Sequence, residues 1–323
     1  MGVVMAGAEA RTRVVVVMNP RSGGGSPARF DLTNRVEGMG AQVWSTSVDD
    51  DAASLARLAV QEGAEVLGVA GGDGTISAVA AVAADTDRPL LVVPAGTRNH
   101  FARDLGLDIR NPVSSLSALT DGVPTRVDLG LVGPRVFINN VSFGPYADAL
   151  LDPGYREDKV RALASVTPDY LTGRQCVEAD VDTPRGTVHL PQVVLISNNP
   201  YHIATPRYLG RRFTLTSGLL GAIVLKRPTD TPPDLLRHLR SELLRQQPPG
   251  TAGDAASAWR AASITLRGRG RQLDAGIDGE AVTLPLSVTC EIWPGGLQVL
   301  LPRDRPGIPP EPVPGLPRAP RGP

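Results

Sequence analysis

Val69-Ala-Gly-Gly-Asp-Gly-Thr75, followed by Pro94-Ala-Gly-Thr-Arg-Asn99, decides the fold of this chain. The apolar run Val66-Leu-Gly-Val-Ala70 before the first loop has the character of a buried strand, and the Ala-rich Ile76-Ser-Ala-Val-Ala-Ala-Val-Ala-Ala84 after it favours helix. Gly71, Gly72, Asp73, Gly74 and Thr75 therefore sit where a strand turns into a helix. Glycines there let the backbone come close to a ligand, and the helix start offers unpaired N–H groups to an anion. A carboxylate in such a loop is out of place in a bare phosphate cradle, but fits if a divalent cation stands between Asp73 and a phosphate. The second loop repeats the arrangement, with Pro89-Leu-Leu-Val-Val93 as strand, Gly96-Thr97 as turn and His100 to Leu105 as helix. A third Gly-rich loop, Asn19-Pro-Arg-Ser-Gly-Gly-Gly-Ser26, follows the strand Arg13-Val-Val-Val-Val-Met18. Loops of this kind, repeated along one sheet edge, predict a nucleotide site.

Outward from these loops the pattern alternates strand and helix to about residue 126. One weakly periodic helix is expected up to Gly38. Asp49, Asp50 and Asp51 supply the cap and first-turn acids of another that ends near Glu62. Such alternation implies a parallel sheet with helices on its faces, binding ligands at the carboxyl ends of its strands. Beyond Arg126 the sequence breaks into short strand-like runs with turn punctuation, the mark of a mostly antiparallel β domain. Helical stretches are expected within it near 158–164 and 233–246. From Pro302 to Pro323 the chain is Pro-, Arg- and Gly-rich and reads as a disordered tail.

Composition narrows the chemistry. Basic and acidic residues number 33 each, so no global field draws the chain to nucleic acid, and aromatics at 4% weaken a base-stacking role. Neither end shows a long apolar run, which predicts a soluble cytoplasmic protein without leader or membrane helix. The two cysteines, Cys176 and Cys290, read as reduced core thiols. Lysine occurs only at Lys159 and Lys226, outside every Gly-rich loop, so the phosphate-gripping lysine of a Walker A loop is absent. A bound triphosphate must then be met by backbone amides, arginine and a metal ion.

Taken in order, Asn19-Pro-Arg-Ser-Gly23, Thr46, Gly71-Gly-Asp-Gly-Thr75 and Pro94-Ala-Gly-Thr-Arg-Asn99 are joined by Phe101-Ala-Arg-Asp-Leu-Gly106 and Val127-Asp-Leu-Gly130. Asn140-Val-Ser-Phe-Gly144 and Asp278-Gly-Glu280 complete the series. Over residues 12–301 this series resembles the diacylglycerol kinase catalytic-domain family, which includes bacterial soluble lipid kinases and the sphingosine and ceramide kinases. The resemblance implies an α/β N-terminal domain over 12–126, with a parallel sheet of the NAD kinase and phosphofructokinase type. A mostly antiparallel β-sandwich lipid-acceptor domain over 127–296 is implied next, with 297–301 returning to the first domain and ATP between the two. It also implies which residues bind nucleotide: Asn19, Pro20, Arg21, Ser22, Gly23, Thr46, Gly71, Gly72, Asp73, Gly74, Thr75, Ile76, Ser77, Gly96, Thr97 and Asn99. Asp73 and Asp128 correspond to acidic residues near the phosphates and a catalytic magnesium, and Glu280 to the general base. Read without the resemblance, Asp278-Gly279-Glu280 is a hairpin turn.

Two departures from the family pattern stand out. His100 replaces a residue that is often acidic or Asn. Ser217-Gly218 replaces the Asp-Gly pair whose Asp holds a structural magnesium in some bacterial members. Thr214, Ser217 and Leu219 would be the matching positions, and without the carboxylate that site is expected to be empty. The reading is an ATP- and magnesium-dependent kinase acting on a lipid alcohol, cytoplasmic but in transient contact with a membrane surface. Analogy suggests a homodimer, and no nucleic-acid partner is expected. Two alternatives remain: a NAD kinase-like enzyme, although the chain contains no Asn-Glu dipeptide, and a catalytically inactive nucleotide- or lipid-binding regulator. The Arg267-Gly-Arg-Gly-Arg271 stretch reads first as a solvated hairpin loop and second as a contact for anionic headgroups.

Overall fold

The alternation predicted for the first third is present. The computed structural model describes residues 12–47, 49–151, 175–202, 210–226 and 256–305. The expected helices near 158–164 and 233–246, and the tail from 306 on, lie outside the described residues. By contacts the chain divides into two compact units. The first comprises residues up to 102, 107–126 and 296–304; the second comprises 103–106, 127–295 and the residues from 305.

In the first unit, β1 (Val14–Met18) is followed by a 3-10 turn (Ser22–Gly24), α1 (Ser26–Arg29) and α2 (Leu32–Gly38). Where one helix was expected there are two short ones, because Asp31 takes φ 50°, a left-handed conformation that no helix interior accommodates. Then come β2 (Gln42–Ser45), α3 (Ala52–Gln61), β3 (Val66–Gly71), α4 (Asp73–Asp85), β4 (Leu90–Pro94), α5 (His100–Asp104) and α6 (Ala118–Asp121). The strands lie parallel in the order β2-β1-β3-β4. Every residue of β3 and β4 is buried, as a parallel sheet covered on both faces requires. Val16, Met18, Leu32, Val36, Leu91 and Val93 form one core on it. The sheet does not end at β4: Val299 and Leu300, from the far end of the chain, pair parallel to Leu90 and Leu91.

The second unit is antiparallel. Its strands are β5 (Val123–Val132), β6 (Arg135–Phe137), β7 (Asn140–Phe143), β8 (Ala179–Thr183), β9 (Gly186–His189), β10 (Val193–Ser197), β11 (Leu220–Leu225), β12 (Ala256–Ala261), β13 (Ser263–Gly268), β14 (Leu273–Ile277), β15 (Glu280–Leu284) and β16 (Ser287–Leu301). A helix, α7 (Pro145–Leu151), follows β7. One sheet runs β12-β11-β10-β7-β14-β15. A second layer pairs residues 287–291 of β16 with β13, β13 with β8, and β8 with β9. Inward-facing residues of both layers, among them Phe137, Phe143, Val181, Ile196, Leu266 and Cys290, share one core, which makes this unit a β-sandwich. Burial pushes the Cys290 thiol up to about 12.

Candidate active site

Strand register brings the three Gly-rich loops of the first unit together. Met18 of β1 lies opposite Ala70 of β3, and Gly71 opposite Pro94 of β4, so all three strands finish at one edge. Asn19 N–H donates to the Ala70 carbonyl (2.9 Å) and Ala95 N–H to that of Gly71 (3.0 Å). The Ser22 hydroxyl accepts from Gly72 N–H (3.2 Å), and Asn19 Nδ2 reaches Thr75 Oγ1 at 3.5 Å. Loop packs on loop so closely that glycine is obligatory. A Cβ on Gly96 would lie 2.3 Å from Gly72 Cα, and one on Gly23 would lie 2.4 Å from the Ala95 carbonyl oxygen. Gly24 and Gly74 instead face open space, leaving the backbone approachable from outside.

Asp73 opens α4, where the first-turn N–H groups have no intrahelical acceptor. Its Oδ1 is buried and has no hydrogen-bond partner among the described residues. A carboxylate oxygen left so is costly, by about 1–3 kcal/mol or more. One hard anionic oxygen beside a row of N–H donors is the donor set that suits magnesium next to a phosphate. The residues present therefore fit the implied metal.

Other expected nucleotide positions take more varied places. Thr46 N–H bonds the Met18 carbonyl (2.8 Å), keeping it beside the β1 end. Pro20, Arg21 and Thr97 are exposed, Ser77 half-buried, and Asn19 Oδ1 closes the turn by accepting Arg21 N–H (3.1 Å). Ile76 has its side chain in the core and its N–H on the Gly72 carbonyl (2.9 Å), so it anchors the helix. Asn99, at φ 52° and buried, accepts Gly96 N–H (2.9 Å) and donates to the Gly96 carbonyl (2.8 Å). Its amide staples the second loop.

In the second unit the expected acidic residues are organised by hydrogen bonds. Asp128 is buried, with Oδ2 accepting from Asn199 Nδ2 (2.8 Å) and Gly218 N–H (2.7 Å) and Oδ1 from Gly295 N–H (2.9 Å). Three neutral N–H donors fix the orientation of this carboxylate. Asn199 Nδ2 also donates to Ser217 Oγ (2.8 Å), and the Ser217 hydroxyl donates to the Leu219 carbonyl (3.2 Å). Thr214 Oγ1 lies 3.0 Å from Thr216 Oγ1 and accepts Thr216 N–H. Hydroxyl and amide groups thus tie this segment together. Glu280 is exposed, directly after a two-residue turn in which Asp278 (φ 49°) and Gly279 (φ 91°) are both left-handed. That is the type I′ hairpin the Asp-Gly pair predicts.

Sequence reading missed the centre of this unit. Arg212 is wholly buried; its Nε donates to Asp104 Oδ2 (2.7 Å), Nη1 to the carbonyls of Ile138 (2.6 Å) and Asn198 (2.9 Å), and Nη2 to Asn139 Oδ1 (2.8 Å). Burial works against its charge, yet Asp104, with Tyr201 and Asp278 adding, holds its pKa above the ordinary arginine value. Burial likewise pushes the Tyr201 phenol up. An Arg-Arg pair gives no sequence signal of burial; its side-chain partner Asp104 and the Ile138–Asn139 segment lie 70 to 110 residues away. Among the described residues no three His, Cys, Asp or Glu side chains gather as a metal-ligand group.

Residues 13–132 match the family model of the diacylglycerol kinase catalytic domain. The resemblance drawn from the motifs is therefore borne out. A diacylglycerol kinase of Mycobacterium tuberculosis is 36% identical over 124 residues, covering 37% of this chain and 40% of that protein. Another from Staphylococcus saprophyticus is 34% identical over 140 residues, 42% of this chain and 46% of the relative. The chain thus spans less than half the length of the curated relatives it matches. A crystal structure of a diacylglycerol kinase from Bacillus anthracis superposes with a TM-score of 0.63 at 15% identity, covering 90% of this chain and 97% of that one. A second structure from that organism gives 0.67 at 16% identity. At such identity these two establish the shared fold.

Proposed function

We propose that this chain is an ATP-dependent lipid kinase, transferring the γ-phosphoryl group to a hydroxyl of diacylglycerol or a related lipid. The observation that carries this reading is the buried, unpartnered Asp73 oxygen at the start of α4, inside three mutually packed Gly-rich loops. Similarity to diacylglycerol kinases supports a lipid alcohol as the acceptor. Phosphoryl transfer asks little covalent chemistry of a protein, so positioning and charge neutralisation do most of the catalysis. Backbone N–H groups of the loops hold the phosphates, with Asn19, Ser22 and Asn99 keeping those loops in place. Asp73 holds magnesium, which when bound neutralises charge developing on the phosphoryl oxygens. Glu280 accepts the proton of the attacking hydroxyl. No helix among the described residues is long and apolar enough to cross a membrane. In this reading a bilayer lipid is reached by transient contact at the membrane surface.

The decisive experiment incubates purified protein with labelled ATP and magnesium against diacylglycerol, sphingosine, ceramide, phosphatidylglycerol and NAD. Label in diacylglycerol or another of the lipids is expected. Label in NAD alone would make it a NAD kinase-like enzyme, and ATP binding without any transfer would make it a regulator.

A further inference from the structure

We propose that Asp278 is the positioning residue for Glu280. This rests on the kinase reading above and extends it to the residue that holds the turn carrying the base. Asp278 Oδ2 accepts Ile138 N–H (2.8 Å), while Oδ1 accepts Asn139 N–H (2.8 Å) and Asn140 N–H (3.0 Å). In return Asp278 N–H donates to the Asn140 carbonyl (2.9 Å). Four hydrogen bonds thus bind the first turn residue of the β14–β15 hairpin to residues 138–140, where the chain passes from β6 into β7. That segment is itself anchored, since Arg212 holds the Ile138 carbonyl and the Asn139 side chain, and Asn140 Nδ2 donates to Tyr201 Oη (3.0 Å).

Glu280 by contrast is exposed and lies two residues along the chain from the clamp. An exposed glutamate on a two-residue turn has several rotamers and a turn that can rock. Any fixed direction for its carboxylate must come from the backbone that carries it. Asp278, at φ 49°, takes the first position of the type I′ turn, and the three N–H groups received by its carboxylate tie that turn to residues 138–140. An amide at this position keeps one acceptor but turns an N–H donor toward another N–H. The turn would then relax while the hairpin strands stay paired.

The test is a double-mutant cycle on the full chain. Asp278→Asn should lower kcat by about 10²-fold, the scale of a roughly 1 Å misplacement of a reacting group, with KM for ATP unchanged. In a Glu280→Gln background the same substitution should lower the residual rate by less than about 3-fold, since groups acting as one unit are not additive. Hydrogen exchange at the amides of Ile138, Asn139 and Asn140 should accelerate in Asp278→Asn. Equal fold-losses in both backgrounds would make Asp278 merely structural and overturn the proposal, as would an unchanged kcat in the single variant. If Asp278→Asn does not fold, Asp278→Ser, which keeps an oxygen acceptor, replaces it in the same cycle. A wild type that phosphorylates no lipid would sink the kinase reading and this one with it. An active wild type with additive losses would sink this one alone.

Discussion

At the scale of single residues, the chain separates carboxylates that hold structure from one poised for chemistry. Asp51 shows the first kind. It caps α3 by accepting Ala53 and Ser54 N–H, and those contacts, led by the Ser54 backbone, hold its carboxyl below the usual carboxylate range. Replacing it with alanine should cost about 1 kcal/mol at neutral pH. Because the folded pKa is the lower one, that contribution is complete above the ordinary carboxylate range and lost as pH falls through the folded value. Thermal melts of Asp51→Ala and wild type should therefore converge on acidification. Asp73 is the other kind: its buried oxygen meets no donor among the described residues. Asp73→Asn should keep the melting temperature but lose most activity, because an amide cannot neutralise magnesium. Wild-type turnover by that variant at limiting magnesium would remove Asp73 from the site. In the Arg-Gly-Arg-Gly-Arg stretch, Arg267 and Arg269 already pair with Asp182 and Asp180, whose carboxyls they hold low. Two of its three guanidiniums are thus engaged within the fold, which favours the solvated-hairpin reading.

At the scale of elements, the buried Arg212–Asp104 pair joins segments that sequence reading could only place side by side. Phe101-Ala-Arg-Asp-Leu-Gly106 contributes Asp104, and the run opening at Asn140 begins where Arg212 and Asp278 grip the backbone. Removing one partner of a buried pair leaves the other charged in a dry interior, at a cost of about 3–5 kcal/mol. Asp104→Asn should therefore lower the denaturation midpoint far more than Asp182→Asn at the exposed Arg267 pair, which water screens. Chemical denaturation of the two variants side by side measures the difference. Legibility follows the same division. The parallel strands and the three loops could be read because apolar runs and glycines are local signals. β7 carries little strand signal because Asn140-Val-Ser-Phe143 is half polar, its Ser142 and Asn140 being satisfied by neighbouring strands and Tyr201. β12, with Ala256-Ser-Ala-Trp-Arg-Ala261, hides its pairing in small residues. Asp128 was recognisable as a key position, but its occupation by three donors from 70 to 170 residues away was not.

At the scale of the molecule, β16 belongs to two folding problems. Residues 287–291 complete a layer of the sandwich, and Val299 and Leu300 cover the β4 edge of the parallel sheet. Residues 12–126 produced alone would leave that edge bare, with its N–H and C=O row open to a neighbouring chain. Such a fragment should self-associate in size-exclusion chromatography, and joining 296–301 to it through a short linker should restore a monomer. Cys290, in the half of β16 that serves the sandwich, offers a clock for the same coupling. Its thiol is wholly enclosed and barely ionised at neutral pH, whereas Cys176 is partly open to solvent. A thiol-specific dye should find Cys176 quickly and Cys290 only when β16 leaves its layer. The slow phase of labelling then reads out, molecule by molecule, how often the last strand lets go.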